Sequence, residues 1–311
     1  MPLPADIKAI AEKVNTWGKW GDDDQLGTLN YLTEEAVLRG VGAVRSGRRF
    51  SLAVDLQLDG MQLGAIPGRV NPLRTMVAVN AAMNPDDPES FHTSDDVVTM
   101  GLQAATHWDA LAHVSYSGNL YNGNPASGIN EWGATTCGIS NVAHLTGRGV
   151  LLDVALAKGV EELDLGYAIT AADLDAAAAH AGVEIASGDI VLIRTGLMAR
   201  YFAGDKQSYN GWSGSPGPGV SCVEWFHRHE VAAAATDTLV FEVFPPEDPE
   251  AMLAVHMLDL VDLGMTQGQN WNLEALAADC ASDGQYDFLL EASPLPFVGG
   301  CGSPVNPVAI K

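Results

Sequence analysis

Between residues 147 and 241 short, predominantly apolar runs alternate with a strong helix former, and this pattern constrains the fold more than any other feature. The runs are "GRGVLLDVA" (147–155), "DIVLIRTG" (189–196) and "VAAAATDTLVF" (231–241). A strand without a polar face has to be covered on both sides, which predicts the interior of a parallel sheet with helices over its faces. "AADLDAAAAHA" (171–181) supplies one such helix. Thr170 with Asp173 predicts a capping box at its start, and Gly182 predicts its end. Strand, helix, strand in this order makes the chain α/β.

No polar linker divides the chain, so residues 1–311 are expected to form a single domain, and 47% hydrophobic residues suffice for a sizeable core. The first 75 or so residues are less regular and read as an N-terminal arm or a dimer contact. "YNGWSGSPGPGV" (209–220), "FPPEDPEAM" and "SPLPFVGGCGSPVNPVAI" are loops within the domain. Acidic residues number 39 against 16 basic ones, for a net charge of −23. Such a surface repels phosphate backbones and anionic membranes and concentrates cations, so neither nucleic acid nor membrane is expected as a partner. With no signal pattern and no run of 18 apolar residues, the expected location is cytoplasmic. Cys137, Cys222, Cys280 and Cys301 are widely spaced and read as reduced, mostly buried thiols.

"TMGLQAATHWDALAHVSY" (99–116) gathers two of the chain's eight histidines, an aspartate and a glutamine within eleven positions. His107 and Asp109 are two apart, so an extended chain points both to one face. Asp109 and His113 are four apart, so a helix beginning at Asp109 would add His113 to the same point. Gln103 offers a carbonyl oxygen. Imidazole nitrogen with carboxylate and amide oxygen suits a borderline divalent ion, zinc or manganese. The ordinary alternative is a hydrogen-bonded His–Asp pair in a polar loop. His92, His144 and His180 read as surface or edge residues. His227 and His229, two apart on a helix, face different ways. Asp237, at the end of a small-residue strand, is either a strand cap or a substrate-side group. "VGGCGSP" lacks the spacing of a phosphate loop, and no G-x-S-x-G elbow is present.

"QAATHWDALAH" resembles the H-x-G-T-H-x-D-x-P-x-H signature of the cyclase-type metal-dependent hydrolases, the group of bacterial kynurenine formamidase and isatin hydrolase. The likeness continues in order through "SGDIVLIRTG", "PGPGVSCVEWFHRHEVAAAATDT", "VHMLDLVDLGMTQGQNWNLEAL" and "PLPFVGGCGSPVNPVAI". It implies a curved or barrel-like mixed sheet of the swivelling β/β/α type with surrounding helices, and a homodimer or homotetramer. It implies metal ligands at His107, Asp109 and His256, a proton-transfer residue at His113, and an N-terminal aromatic wall to which Trp17 and Trp20 are the candidates, with core or interface packing as their alternative. Two departures stand out. The motif's first ligand histidine is Gln103 here, and the later glutamate falls on Gln269, with Glu274 close by. A neutral amide bridges two cations poorly, so one divalent ion (Mn or Zn) is expected, with Gln103, Gln269 and His256 as further candidate ligands. The implied function is hydrolysis of a small cyclic amide, imide or N-formyl compound by metal-activated water. The alternatives are a non-hydrolytic cyclase or dehydratase on the same site, and a non-catalytic binding protein.

Overall fold

A computed structural model describes residues 3–87, 89–211 and 213–311. Its main strands are β1 (Arg49–Ser51), β2 (Leu73–Ala82), β3 (His92–Thr99), β4 (His107–Asp109), β5 (Thr146–Asp153), β6 (Ile190–Arg194), β7 (Ala233–Thr236), β8 (Thr266–Gln269), β9 (Asp287–Glu291), β10 (Gly302–Pro304) and β11 (Val308–Ile310). The longer helices are α1 (Ala5–Val14), α2 (Glu34–Gly42), α3 (Ala171–Ala181), α4 (Ser221–Arg228) and α5 (Glu274–Asp283). Nine strands form one curled mixed sheet in the order β1-β11-β9-β5-β6-β7-β8-β4-β10. β5 to β8 run parallel in the middle, and the strands on either side pair antiparallel.

The expected two-sided burial of the central strands holds residue by residue. Leu151, Ile190, Leu192, Ala233 and Ala235 enter the core on one face of the sheet. Val150, Leu152, Val191, Ile193 and Ala234 enter the core on the other, with Leu174 and Ala177 of α3 and Phe226 of α4. The Thr170 hydroxyl accepts from the Asp173 amide, the Asp173 carboxylate accepts from the Thr170 amide, and Gly182 ends α3 at φ 63°. The third apolar run stops being a strand at Thr236 rather than continuing to Phe241, because Asp237 turns into the protein.

Residues 3–52 lie along the body of the molecule. α1 buries Ile7, Ala11 and Val14, Thr16 hydrogen-bonds to Asp262 and Leu263, and β1 joins the sheet through β11. The piece that stands off is instead the ribbon β2–β3, which pairs only with itself and leaves nearly all its residues exposed. The four cysteines are free, three of them buried. No helix among the described residues is long and apolar enough to cross a membrane.

Candidate metal centre

The site is built on β4, and β4 is held by the tryptophan between its two polar residues. Trp108 points away from His107 and Asp109 into the core. Its indole donates to Ala292 O at 2.8 Å and meets the Trp271 ring edge-on at 4.8 Å. This aromatic pair sits directly over Gly268 of β8, where a Cβ would come within 2.7 Å of Trp271 Nε1 and 2.9 Å of Trp108. Strand alternation then sends His107 and Asp109 together to the opposite face, both fully buried.

His113 reaches the same point by a different route from the helix anticipated after Asp109. The chain makes a tight turn in which the His113 amide donates to Ala110 O. Ala110 and Ala112 donate instead to Cys301 O and Cys137 O, so a helical ladder has no free amides here. The turn leaves His113 Nε2 3.7 Å from Asp109 Oδ1.

His107 Nδ1 donates to Ala105 O at 2.7 Å, so Nε2 carries the lone pair. That atom faces Asp109 Oδ1 at 3.5 Å. Both atoms are buried and neither has a hydrogen-bond partner among the described residues. Two electron-rich atoms so placed repel each other unless a cation lies between them. Ligands about 2.1 Å from a tetrahedral ion lie roughly 3.4 Å apart. The pair therefore fits a divalent ion. No three His, Cys, Asp or Glu side chains among the described residues already converge as a ligand set, so amides or water would complete it.

The other carboxylate oxygen, Asp109 Oδ2, accepts from Gln269 Nε2 at 2.5 Å. The same Gln269 nitrogen lies 3.4 Å from His256 Nε2. His256 in turn is held through Nδ1 by Glu242, whose carboxylate also accepts the Val255 and His256 amides. Glu242 escaped the sequence reading. Its signal is an acid set in the apolar run "VFEVF", and its neighbour Phe241 adopts φ 65°, a costly conformation for a bulky residue. Burial disfavours the Asp109 carboxylate, but His113, His107 and His256 around it, whenever they carry a proton, outweigh that and hold its pKa well below the usual range. Burial lowers the His113 pKa against the pull of Asp109, and His256, Arg69 and His107 lower it further.

The remaining candidates fall as follows. Gln103 lies beside Gly302, the residue paired with Asp109 across β10, where its amide nitrogen is 2.6 Å from the position a Cβ would take. Glu274 is engaged by Arg194 through two 2.9 Å contacts, so Gln269 is the one of the two at the site. Trp17 donates to Val261 O at 2.7 Å and packs on the core beside Gly123. Trp20 stands edge-on to Tyr31 under Lys19, in contact with none of the site residues described above. His92, His144 and His180 are exposed, and His227 and His229 lie partly exposed around the end of α4.

Asp237 acts as a clasp. Its buried carboxylate accepts from Thr195 N at 2.9 Å, Thr195 Oγ1 at 2.7 Å and Gly196 N at 2.8 Å, joining the ends of β6 and β7. Burial pushes its pKa up to about 6, against these bonds from Thr195 and the charge of Arg194. A carboxyl whose folded pKa lies above its unfolded value of about 3.9 stabilises the fold most when protonated. That contribution is complete below about pH 4 and is lost as pH rises through about 6. Relative to Asp237→Asn, which does not titrate, the wild-type protein should lose up to about 3 kcal/mol between pH 4 and 7. Urea unfolding of both proteins across that range measures the difference. Parallel curves would mean that Asp237 ionises like an exposed acid.

A family model described as putative cyclase matches residues 11–243. A crystal structure described as that of a novel cyclase is 40% identical and aligns over 97% of this chain and 99% of its own, with a TM-score of 0.87. Isatin hydrolase A from Labrenzia aggregata, solved with benzyl benzoate, is 19% identical over 88% of this chain and 97% of its own, with a TM-score of 0.61. A predicted metal-dependent hydrolase from Bacillus stearothermophilus is 14% identical over 84% of this chain and 97% of its own, with a TM-score of 0.51. These last two share the fold. No curated protein matches the chain.

Proposed function

The chain belongs to the putative cyclase family, and from that premise we propose that it is a metal-dependent hydrolase of a small amide: a cyclic amide, an imide or an N-formyl compound. The observation that carries this reading is the buried, unpartnered pair His107 Nε2 and Asp109 Oδ1, 3.5 Å apart. Proteins sharing the fold support it, being named isatin hydrolase and metal-dependent hydrolase, and isatin itself is a cyclic amide. One zinc or manganese ion would be held by His107 and Asp109, with Gln103, Gln269 or His256 as further contacts. When bound, such an ion supplies Lewis acidity and makes water more acidic.

The chain's own residues do the rest. His113, its pKa lowered by burial, is neutral near pH 7, so its ring can take a proton from water and return it to the leaving nitrogen. Gln269 holds the Asp109 carboxylate through Oδ2 and leaves Oδ1 free. Glu242 fixes His256 in the tautomer whose Nε2 faces the site.

The test is a screen of the zinc- and manganese-loaded protein against isatin, cyclic imides, lactones and formanilides in ¹⁸O-labelled water. Label in the carboxyl product is the expected result. Turnover without label would replace hydrolysis by a cyclase or dehydratase reaction. Failure to bind stoichiometric metal, with no turnover, would replace it by a binding role.

The same reading includes a homodimer or homotetramer. Its support is the β2–β3 ribbon, which exposes Leu73, Val77, Val79, Phe91, Val97 and Val98. A two-stranded ribbon is marginal in water without cover, and an apolar patch of this kind marks a contact surface. Light scattering should give a dimer or larger for the wild type and a monomer for the Val77→Asp/Val97→Asp double variant. A wild-type monomer would reject the proposal.

A further inference from the structure

Arg69, whose charge acts on His113, has no role in the reading above. It lies in "PGRVNP", the loop between β1 and β2. That loop is tied to the run leading into β4. Asn71 and Gln62 exchange two hydrogen bonds at 2.9 Å, Gln62 Nε2 donates to Ala104 O at 3.0 Å, and the Gly101 amide donates to Val70 O at 3.1 Å. The Arg69 Cα comes within 3.6 Å of the position a Cβ on Gly101 would take. The attachment brings the loop against the segment that leads into β4, and the charge of the half-buried Arg69 acts on both Asp109 and His113 without an ion pair to either.

The guanidinium has no hydrogen bond or ion pair among the described residues. This is unexpected in a chain where 39 acidic residues compete for 16 basic ones. The most buried cations of the chain are matched. Arg194 has Asp153 and Glu274, Arg148 has Asp189 and Asp287, and Lys311 has Asp279 and Asp283. Arg69 is half-buried, burial lowers its pKa, and a guanidinium held there without an anion is free to take one from outside the chain. The planar fork of an arginine complements one group above others, a carboxylate taken through two parallel hydrogen bonds.

We infer that Arg69 is a specificity-determining residue that receives a carboxylate on the substrate, so that the amide opened at His107 and Asp109 belongs to an anionic molecule. The inference rests on the hydrolase reading only for which bond reacts, since the carboxylate contact exists whether or not turnover follows. It also accounts for a cation in an otherwise acidic protein, whose overall field repels the substrate and whose one unmatched guanidinium at the site recaptures it.

The probes are formanilide and its 2-, 3- and 4-carboxylate derivatives, which differ only in the anionic group. Calorimetric binding is measured on the zinc-loaded full chain, wild type and Arg69→Gln, with thermal melts confirming equal folding. The wild type should bind at least one carboxylate isomer roughly tenfold or more tighter than formanilide, as expected of a charge-assisted bond. Arg69→Gln should bind all four compounds alike, and Arg69→Lys should recover only part of the preference, because an ammonium lacks the fork. No preference in the wild type, or a preference that survives in Arg69→Gln, would overturn the assignment. Preference without turnover would fault the hydrolase reading alone. Turnover without preference would fault the role of Arg69 alone.

Discussion

Asp109→Ala is expected to reduce bound divalent metal from about one equivalent per chain to a trace, and turnover to background with it. The carboxylate is fully buried and has divided its two oxygens, Oδ2 taking the Gln269 amide and Oδ1 facing His107 Nε2. Without it a neutral imidazole is left with amides, and no anion remains at the centre to offset a double charge. The effect on stability separates this from general damage. Asp109→Asn keeps the shape of the buried side chain, so the metal-free variant should remain folded in thermal melts. Saturating metal should stabilise the wild type by about 3 kcal/mol at a hundredfold excess over Kd and leave the variant unmoved. Retention of one tightly bound ion by Asp109→Ala, measured by elemental mass spectrometry, would remove the centre from this location.

His113→Ala should show the complementary pattern, with metal retained and kcat lowered by about 10²–10⁴. Its Nε2 is 3.7 Å from Asp109 Oδ1, and the ring is only partly buried, so it remains accessible beside the buried pair. Burial places its pKa below the ordinary histidine value. A base of this kind is lost as it protonates, so the acid limb of the wild-type kcat profile should fall below about pH 6.5 and be absent from His113→Ala. Full activity in the variant would remove His113 as the proton carrier, and loss of metal along with activity would make it a ligand instead.

The features legible in the sequence are those whose placement depends on neighbours along the chain. His107 and Asp109 share a face because strand side chains alternate, whatever lies above them. The Thr170–Asp173 box and Gly182 define α3 by bonds that span four residues. The two-sided apolar runs required a covered parallel strand, and β5, β6 and β7 are covered on both faces. The readings that shifted depend on partners far away in sequence. The turn that carries His113 exists because Cys137 and Cys301 carbonyls take the amides a helix would have used. Asp237 closes two strand ends because Thr195 and Gly196 arrive from 42 and 41 residues earlier.

From its order of residues the chain determined an α/β body, its central strands and the pairing of an imidazole with a carboxylate on one of them, because backbone periodicity and caps act over a few residues. Only the tertiary structure decided that Glu242 would orient His256, that Gln269 would hold Asp109, and that Arg69 would stand unmatched beside them. Those contacts join segments between 13 and 160 residues apart, and no local rule links positions that meet only after the sheet has curled and closed.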